Sequence, residues 1–153
     1  MEYLDFAIEL AREAGGVLKH YMNREKHIEL KGRANLVTVA DKESEALIIR
    51  RIRERYPSHA ILAEESGASS GSDAKWIIDP LDGTTNFAHQ YPFFCVSVGF
   101  EQSGRLLCGA VYDPWRDWIG RGPAITESSM YTLRRVDPFL LRKLREEEPE
   151  SVS

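Results

Sequence analysis

The stretch WIIDPLDGTTNF, residues 76–87, changes from apolar to acidic and turn-forming residues halfway along. Its first three residues are typical of a buried strand. The next five are Asp79, Pro80, Leu81, Asp82 and Gly83, so two carboxylates follow the strand closely. An Asp-Pro-x-Asp-Gly segment taken alone is most often a tight turn, because every residue in it is a turn former. A functional interpretation therefore needs support from the rest of the chain.

Two other β-rich runs also end in acids. Residues 36–40, LVTVA, precede Asp41, and residues 60–63, AILA, precede Glu64 and Glu65. Taken singly, Asp41 is typical of a helix cap and the two glutamates are typical of a solvated pair. If the three strand ends lie side by side, however, their carboxylates share a small volume and repel one another unless cations lie between them. Hard oxygen donors of this kind favour Mg²⁺ or Mn²⁺ over zinc.

The acidic stretch itself supplies donors for both a cation and an anion. Asp79, Asp82 and the carbonyl of Leu81 can face the same cation. Gly83, Thr84 and the two residues after them are typical of the first turn of a helix, whose backbone N–H groups bind anions such as phosphate. The sequence therefore predicts a metal and a phosphate next to each other.

Hydrophobic periodicity predicts the surrounding elements. Apolar residues recur at helical spacing over residues 1–23 and again over residues 42–56. A short strand is expected at 26–30, and a polar loop then leads into the β-rich run before Asp41. The runs FFCVSVGFE and LLCGAVYD, separated by QSGR, predict a hairpin. We expect a layered α+β fold in which two amphipathic helices pack on a largely antiparallel sheet, with the carboxylates gathered at one edge.

The sequence loses its clear hydrophobic periodicity at about Trp118. We expect one domain over residues 1–117, followed by a divergent tail over 118–153 that carries a short charged helix at 137–147. Asp137 as cap and Pro138 in the first turn would begin that helix. The segment DPWRD, residues 113–117, is expected to be a turn after the hairpin.

Composition limits the class of protein. The 153 residues are 42% hydrophobic, with a formal charge of -4 and a pI near 5.6, and they contain no basic run that would indicate a nucleic-acid partner. The start of the chain mixes acids with apolar residues, unlike a secretory signal, and no run reaches the ~18 apolar residues of a membrane span. We expect a cytoplasmic protein, with buried free thiols at Cys95 and Cys108 and ordinary surface or packing roles for the four histidines.

These motifs together resemble the inositol monophosphatase family of Mg²⁺-dependent, lithium-sensitive phosphatases. AEES and WIIDPLDGTTNF carry the resemblance, with support from LVTVADKESE and YPFFCVSVGFE. The likeness extends from the first helix to about Trp118. It implies a phosphoric monoester hydrolase whose substrate is inositol monophosphate or a related sugar phosphate. Fructose bisphosphate, histidinol phosphate and nucleotide 3′-phosphates stay open, since relatives with similar metal motifs handle them.

The resemblance also implies roles for single residues. Glu64, Asp79 and the Leu81 carbonyl look like ligands of a first Mg²⁺, and Asp79 and Asp82 look like ligands shared with a second. Other residues are implied in catalysis and substrate binding. Thr84, with Asp41 or Glu64, looks able to accept the proton of the attacking water. Gly83 and Thr84 look able to offer backbone N–H groups to the phosphate, and Lys31 is implied to lie on a loop that approaches the site.

The chain also departs from the family. The second half of the family supplies a Trp-Asp-x-Ala-Ala-Gly segment, and no such segment occurs in this sequence. Two hypotheses follow: a Mg²⁺-dependent phosphomonoesterase, or a truncated, non-catalytic remnant that binds metal or phosphate weakly or associates with a full-length partner. Without a layer to cover its sheet, the chain is expected to expose an apolar face and to self-associate or form a homo-oligomer.

Overall fold

The structure, a computed structural model, describes residues 2–24, 30–63, 67–68 and 72–123. The elements in chain order are α1 (Glu2–Arg24), α2 (Leu30–Arg55), β1 (Ala60–Ala63), β2 (Gly67–Ala68), β3 (Ala74–Asp82), α3 (Thr84–Ala88), β4 (Cys95–Gln102), β5 (Arg105–Asp113) and β6 (Trp118–Pro123).

The described strands form one sheet of six in the order β2-β1-β3-β4-β5-β6. Only β1 and β3 pair in parallel, and every other neighbouring pair is antiparallel. The predicted hairpin is confirmed as β4 and β5, and the sheet continues through β6 beyond it. The expected α+β class with a largely antiparallel sheet is therefore correct.

Both long helices pack on the same face of the sheet, which we call the helix face. Helix α1 contacts β4, β5 and β6, while α2 contacts α1 and β3. The alternating strand residues Trp76, Ile78, Val96, Val98 and Phe100 point into this layer and belong to the same buried cluster as the apolar stripe of α1. The residues between them, including Ile77, Asp79, Ser97 and Glu101, lie on the opposite face, which we call the second face.

An aromatic cluster closes the end of this core near the start of α1. Tyr3 stacks on Phe100, and His59 stacks on Tyr56 with ring centroids 4.7 Å apart. The indole Nε1–H of Trp76 donates a hydrogen bond of 3.1 Å to Nδ1 of His59. Burial lowers the pKa of His59, because the charged imidazolium would lose contact with water. The packing role expected for this histidine is confirmed.

The predicted start of the second helix is wrong. Residues 36–40 are helical, and α2 begins at Leu30, so the expected loop and strand before Asp41 do not exist and Asp41 lies inside the helix rather than at its cap. The β-branched residues of LVTVA favour a strand locally. Tertiary packing outweighs this local strand preference. One helical face carries a fully buried residue at every fourth position: Ala40, Ser44, Ile48 and Ile52. Of the predicted strand at 26–30, Leu30 is helical and the rest lies outside the described residues.

The acidic stretch is part of a strand and not a tight turn. Strand β3 runs on through Asp79 and Pro80 to Asp82, and its register against β4 shifts between the two aspartates, as in a β-bulge. The other expected turn is confirmed: Asp113 Oδ1 accepts hydrogen bonds from the backbone N–H groups of Trp115 and Arg116.

Cys95 and Cys108 are buried free thiols, as expected. Burial raises the pKa of Cys108 to about 11, because a thiolate would be desolvated there. Within the part of the chain that is described, no helix is long and apolar enough to cross a membrane. Residues 124–153, including the predicted helix at 137–147, lie outside the described residues, and the domain boundary at 117 stays a prediction.

Candidate metal and phosphate site

Asp79 is a buried carboxylate on the second face of the sheet. Its side chain is only 4% exposed, and its Oδ1 accepts a hydrogen bond of 3.2 Å from the backbone N–H of Leu81. Pro80 between them has no N–H to compete for that oxygen. Burying a carboxylate is costly unless charge or hydrogen bonds compensate for it. A carboxylate at this position therefore requires hydrogen bonds, an opposite charge or a cation beside it.

Asp82 is the last residue of β3, after the bulge, and is half-buried. The thiol of Cys95, directly across on β4, donates to Asp82 Oδ2 over 3.8 Å. The bulge changes the direction of the strand between the two aspartates. It therefore decides how the carboxylate of Asp82 is presented relative to that of Asp79.

Ser97 lies directly across β4 from Asp79, on the same face of the sheet. The serine is 1% exposed, and its hydroxyl has no hydrogen-bond partner among the described residues. A buried hydroxyl without a partner costs free energy, so its place beside a buried carboxylate requires an explanation.

The predicted helix after the acidic stretch is confirmed as α3, which begins at Thr84. Gly83 precedes it with φ of +92°, in the left-handed region that glycine adopts without strain. A Cβ on Gly83 would lie 3.0 Å from the carbonyl oxygen of Phe93. The side-chain amide of Asn86 donates to the same oxygen over 2.8 Å. The segment before β4 therefore packs closely against the start of α3.

Asp41 comes to this region on α2. Three residues later in the same helix, the hydroxyl of Ser44 donates a buried hydrogen bond of 2.9 Å to the carbonyl of Pro80. Helix α2 also contacts α3, the helix that Thr84 begins. Residues three apart share a helical face, so the Ser44 bond holds the Asp41 segment against the end of β3. Lys31 is the second residue of α2 and not part of a loop.

The donors present are hard oxygens of the kind that Mg²⁺ prefers: two aspartate carboxylates and the carbonyl of Leu81 between them. Glu64, the further predicted ligand, lies outside the described residues. Among the residues that the structure does describe, no three His, Cys, Asp or Glu side chains form a group that could hold a metal ion. The donor chemistry of Asp79 and Asp82 fits the cation.

Sequence reasoning missed three residues around this site: Ser44, Cys95 and Ser97. For Ser44, the available signal was a polar residue at helical spacing between Ala40 and Ile48. For Cys95 and Ser97, it was their alternation with Val96 and Val98, which places them on the opposite face of the strand from the core.

Comparison with known proteins identifies the family that this chain resembles. A family model described as the inositol monophosphatase family matches residues 1–137, beyond the likeness to Trp118 seen in the motifs. Inositol monophosphatase 2 of Solanum lycopersicum is 41% identical over 84% of this chain and 53% of its own length. The Nus factor SuhB of Pasteurella multocida is 48% identical over 74% of this chain and 44% of its own length.

The solved structure of an inositol monophosphatase from Anabaena (Nostoc) sp. PCC 7120 superposes with a TM-score of 0.68 at 47% identity. It covers 80% of this chain, which in turn covers 44% of that structure. The chain therefore spans about half the length of the relatives that it matches.

Proposed function

This chain belongs to the inositol monophosphatase family, and from that membership we propose that it acts as a Mg²⁺-dependent phosphomonoesterase. Its substrate would be inositol monophosphate or a related sugar phosphate. A small phosphate ester is then the expected partner, with no role for nucleic acid or membrane, and the expected location is the cytoplasm.

One observation carries the proposal: the end of β3 holds a buried aspartate, a bulge and a second aspartate, and it leads at once into α3 through a left-handed glycine. Carboxylates and the first N–H groups of a helix suit a cation and a phosphate in neighbouring positions. A bound cation would also compensate for the free-energy cost of burying the Asp79 carboxylate.

Asp79, Asp82 and the carbonyl of Leu81, with Glu64, would hold Mg²⁺. When bound, Mg²⁺ supplies positive charge that makes a water molecule a better nucleophile and offsets the charge of the phosphoryl oxygens. Residues of the chain orient the water, accept its proton and bind the phosphate. The hydroxyl of Thr84 orients the attacking water, and the carboxylate of Asp41 accepts its proton. Gly83 and Thr84 offer backbone N–H groups to the phosphate, and the family resemblance implies that Lys31 also binds the substrate.

The second candidate is a non-catalytic remnant that binds metal or phosphate weakly or associates with a full-length partner. It is kept as the alternative because the chain spans about half the length of the relatives that it matches. On this alternative, the acidic stretch keeps its geometry without enough ligands for chemistry.

Phosphate release from inositol 1-phosphate tests the proposal. The purified chain is assayed with and without Mg²⁺, beside an Asp82→Asn variant that keeps the shape of the side chain but removes its charge. We expect release that requires Mg²⁺ and is lost in the variant. Circular dichroism of both proteins serves as the control for folding.

A folded chain that releases no phosphate, while the same assay detects release by a full-length relative, would contradict the enzyme proposal and favour the remnant. Substrate class is tested in the same assay by replacing inositol 1-phosphate with fructose 1,6-bisphosphate, histidinol phosphate and a nucleotide 3′-phosphate. The ester with the highest kcat/KM identifies the class.

A further inference from the structure

Strand β4 faces the two aspartates of β3 with two small polar side chains. The register pairs Ser97 with Asp79 and Cys95 with Asp82, so each aspartate has one S–H or O–H group directly across from it. Side chains of directly opposed residues lie on the same face, with their Cβ atoms ~5 Å apart. Both pairs are on the second face of the sheet, away from α1 and α2.

The Cys95 pair is already formed. Its thiol is buried and donates to Asp82 Oδ2 over 3.8 Å. An S–H donor is weak, but at this position it restrains the orientation of a carboxylate that follows a bulge. Packing alone does not explain a hydrogen-bond donor at this position, because an apolar residue of similar size would fill the same space.

Ser97 and Asp79 face each other across the strand pair, but no hydrogen bond is formed between them. The hydroxyl is as deeply buried as the core valines on either side, yet no described residue accepts its hydrogen or donates to it. Alanine would fill nearly the same space without burying a polar group that lacks a partner. Rotation about χ1 is all that a serine needs to bring its hydroxyl toward the carboxylate across the strand pair.

We propose that Ser97 and Cys95 are positioning residues for the metal site, and that they orient the carboxylates of Asp79 and Asp82 by hydrogen bonds from β4. The inference rests on the proposed function, because it concerns the same two aspartates. Hydrogen bonds to a carboxylate that binds a metal set its orientation, and losing such a bond typically weakens metal affinity by about 10-fold or more.

The test is a calorimetric titration of the 153-residue chain with Mg²⁺, using variants matched in shape. Ser97→Thr and Ser97→Val have nearly the same shape and differ in the hydroxyl, so any effect of packing is common to both. We expect Ser97→Thr to bind Mg²⁺ about as tightly as wild type, and Ser97→Val and Ser97→Ala to bind about 10-fold more weakly.

Cys95 is tested in the same way. Cys95→Ser keeps a donor and Cys95→Ala removes it, with Cys108→Ala as the control because that thiol is also buried but lies on the helix face. We expect a weaker affinity for Cys95→Ala than for Cys95→Ser, and no change for Cys108→Ala.

Urea unfolding without metal is the second readout, in which Ser97→Ala is expected to be at least as stable as wild type.

The outcomes separate the two proposals. If wild type binds Mg²⁺ and Ser97→Thr and Ser97→Val bind it equally, the positioning role is wrong and the proposed function stands. If Ser97→Ala lowers stability in the absence of metal and leaves Mg²⁺ affinity unchanged, the serine is structural and the inference fails. If folded wild type gives no heat of Mg²⁺ binding, the proposed metal function fails, and the inference fails with it.

Discussion

At the scale of single residues, the region around the acidic stretch depends on positions where only one kind of residue fits. Gly83 has a backbone conformation that other residues adopt only with strain, and it lies against the carbonyl of Phe93. Asp79 is a buried carboxylate, a group that is almost never fully buried unless it is paired. Such positions are typical of sites where the fold gives up some stability to hold functional groups in place.

Gly83→Ala is expected to destabilise the protein more than Gly104→Ala does. Both glycines have positive φ, so both substitutions cost about 1–2 kcal/mol in backbone strain. A Cβ at Gly104 meets nothing within 4 Å, whereas one at Gly83 would lie 3.0 Å from Phe93 O and 3.3 Å from Phe94. Urea unfolding of the two variants measures the difference. Equal losses of stability would contradict the close approach at Gly83.

His59 is expected to make the stability of the protein depend on pH. Its pKa in the folded protein is lower than the ordinary value of 6.5, because partial burial of the ring disfavours the charged imidazolium. The unfolded chain therefore binds a proton more readily than the folded one. The contribution of His59 is complete above pH 6.5 and is lost as the pH falls toward the folded pKa.

Melting temperatures between pH 7.5 and pH 5 measure this dependence. His59→Gln removes the titrating group and is expected to flatten the fall in stability over that range. A slope that His59→Gln leaves unchanged would rule out this histidine as the source.

At the scale of elements, the sequence predicted the pieces whose local preference and tertiary packing agree. Helix α1, the β4–β5 hairpin and the helix after Gly83 all follow from periodicity and turn residues. The first half of α2 could not be predicted in this way, because three β-branched or strand-favouring residues in LVTVA locally predict a strand instead of a helix. The bulge in β3 was also missed, because the same residues form ordinary turns elsewhere.

Neighbouring glycines of α1 are expected to respond in opposite directions to alanine. Gly16→Ala adds a methyl group in open space and should stabilise the helix by about 0.5–1 kcal/mol. Gly15→Ala places its Cβ 2.5 Å from the ring of Tyr112, where α1 packs on β5, and should destabilise the protein by about 1–3 kcal/mol. The ring cannot move away easily, because its hydroxyl bonds to Asp117.

Urea midpoints of the two alanine variants check this prediction, and each variant serves as the control for the other. Their helix propensities change by the same amount, so the difference between them reports the contact with Tyr112. If Gly15→Ala were as stable as Gly16→Ala, the close packing of α1 on β5 would be contradicted.

At the scale of the whole molecule, the candidate site combines residues from three parts of the chain. Asp79, Asp82 and Gly83 could be predicted because they are neighbours in sequence, and the motif that contains them is specific. Ser97 and Ser44 could not, since their relation to the site depends on strand register and on the docking of α2. The role of Glu64 stays a prediction.

Self-association through an apolar surface stays a prediction at this scale. The large apolar side chains that are exposed among the described residues include Tyr91, Phe93, Trp115 and Trp118. On the second face, Ile77 and Val111 are buried. Sedimentation velocity at increasing protein concentration should show a rising average mass. A single species of monomer mass at every concentration would contradict self-association. The control for ligand effects is the same measurement in a phosphate-free buffer with added Mg²⁺.

The position of α1 has a consequence for how the protein is made. Among the described elements this helix is synthesised first, yet two of the strands that pack on it, β5 and β6, are synthesised last. During translation part of its apolar stripe therefore stays uncovered until β5 has left the ribosome. Contacts this distant in sequence also slow folding, because a long loop must close before they form.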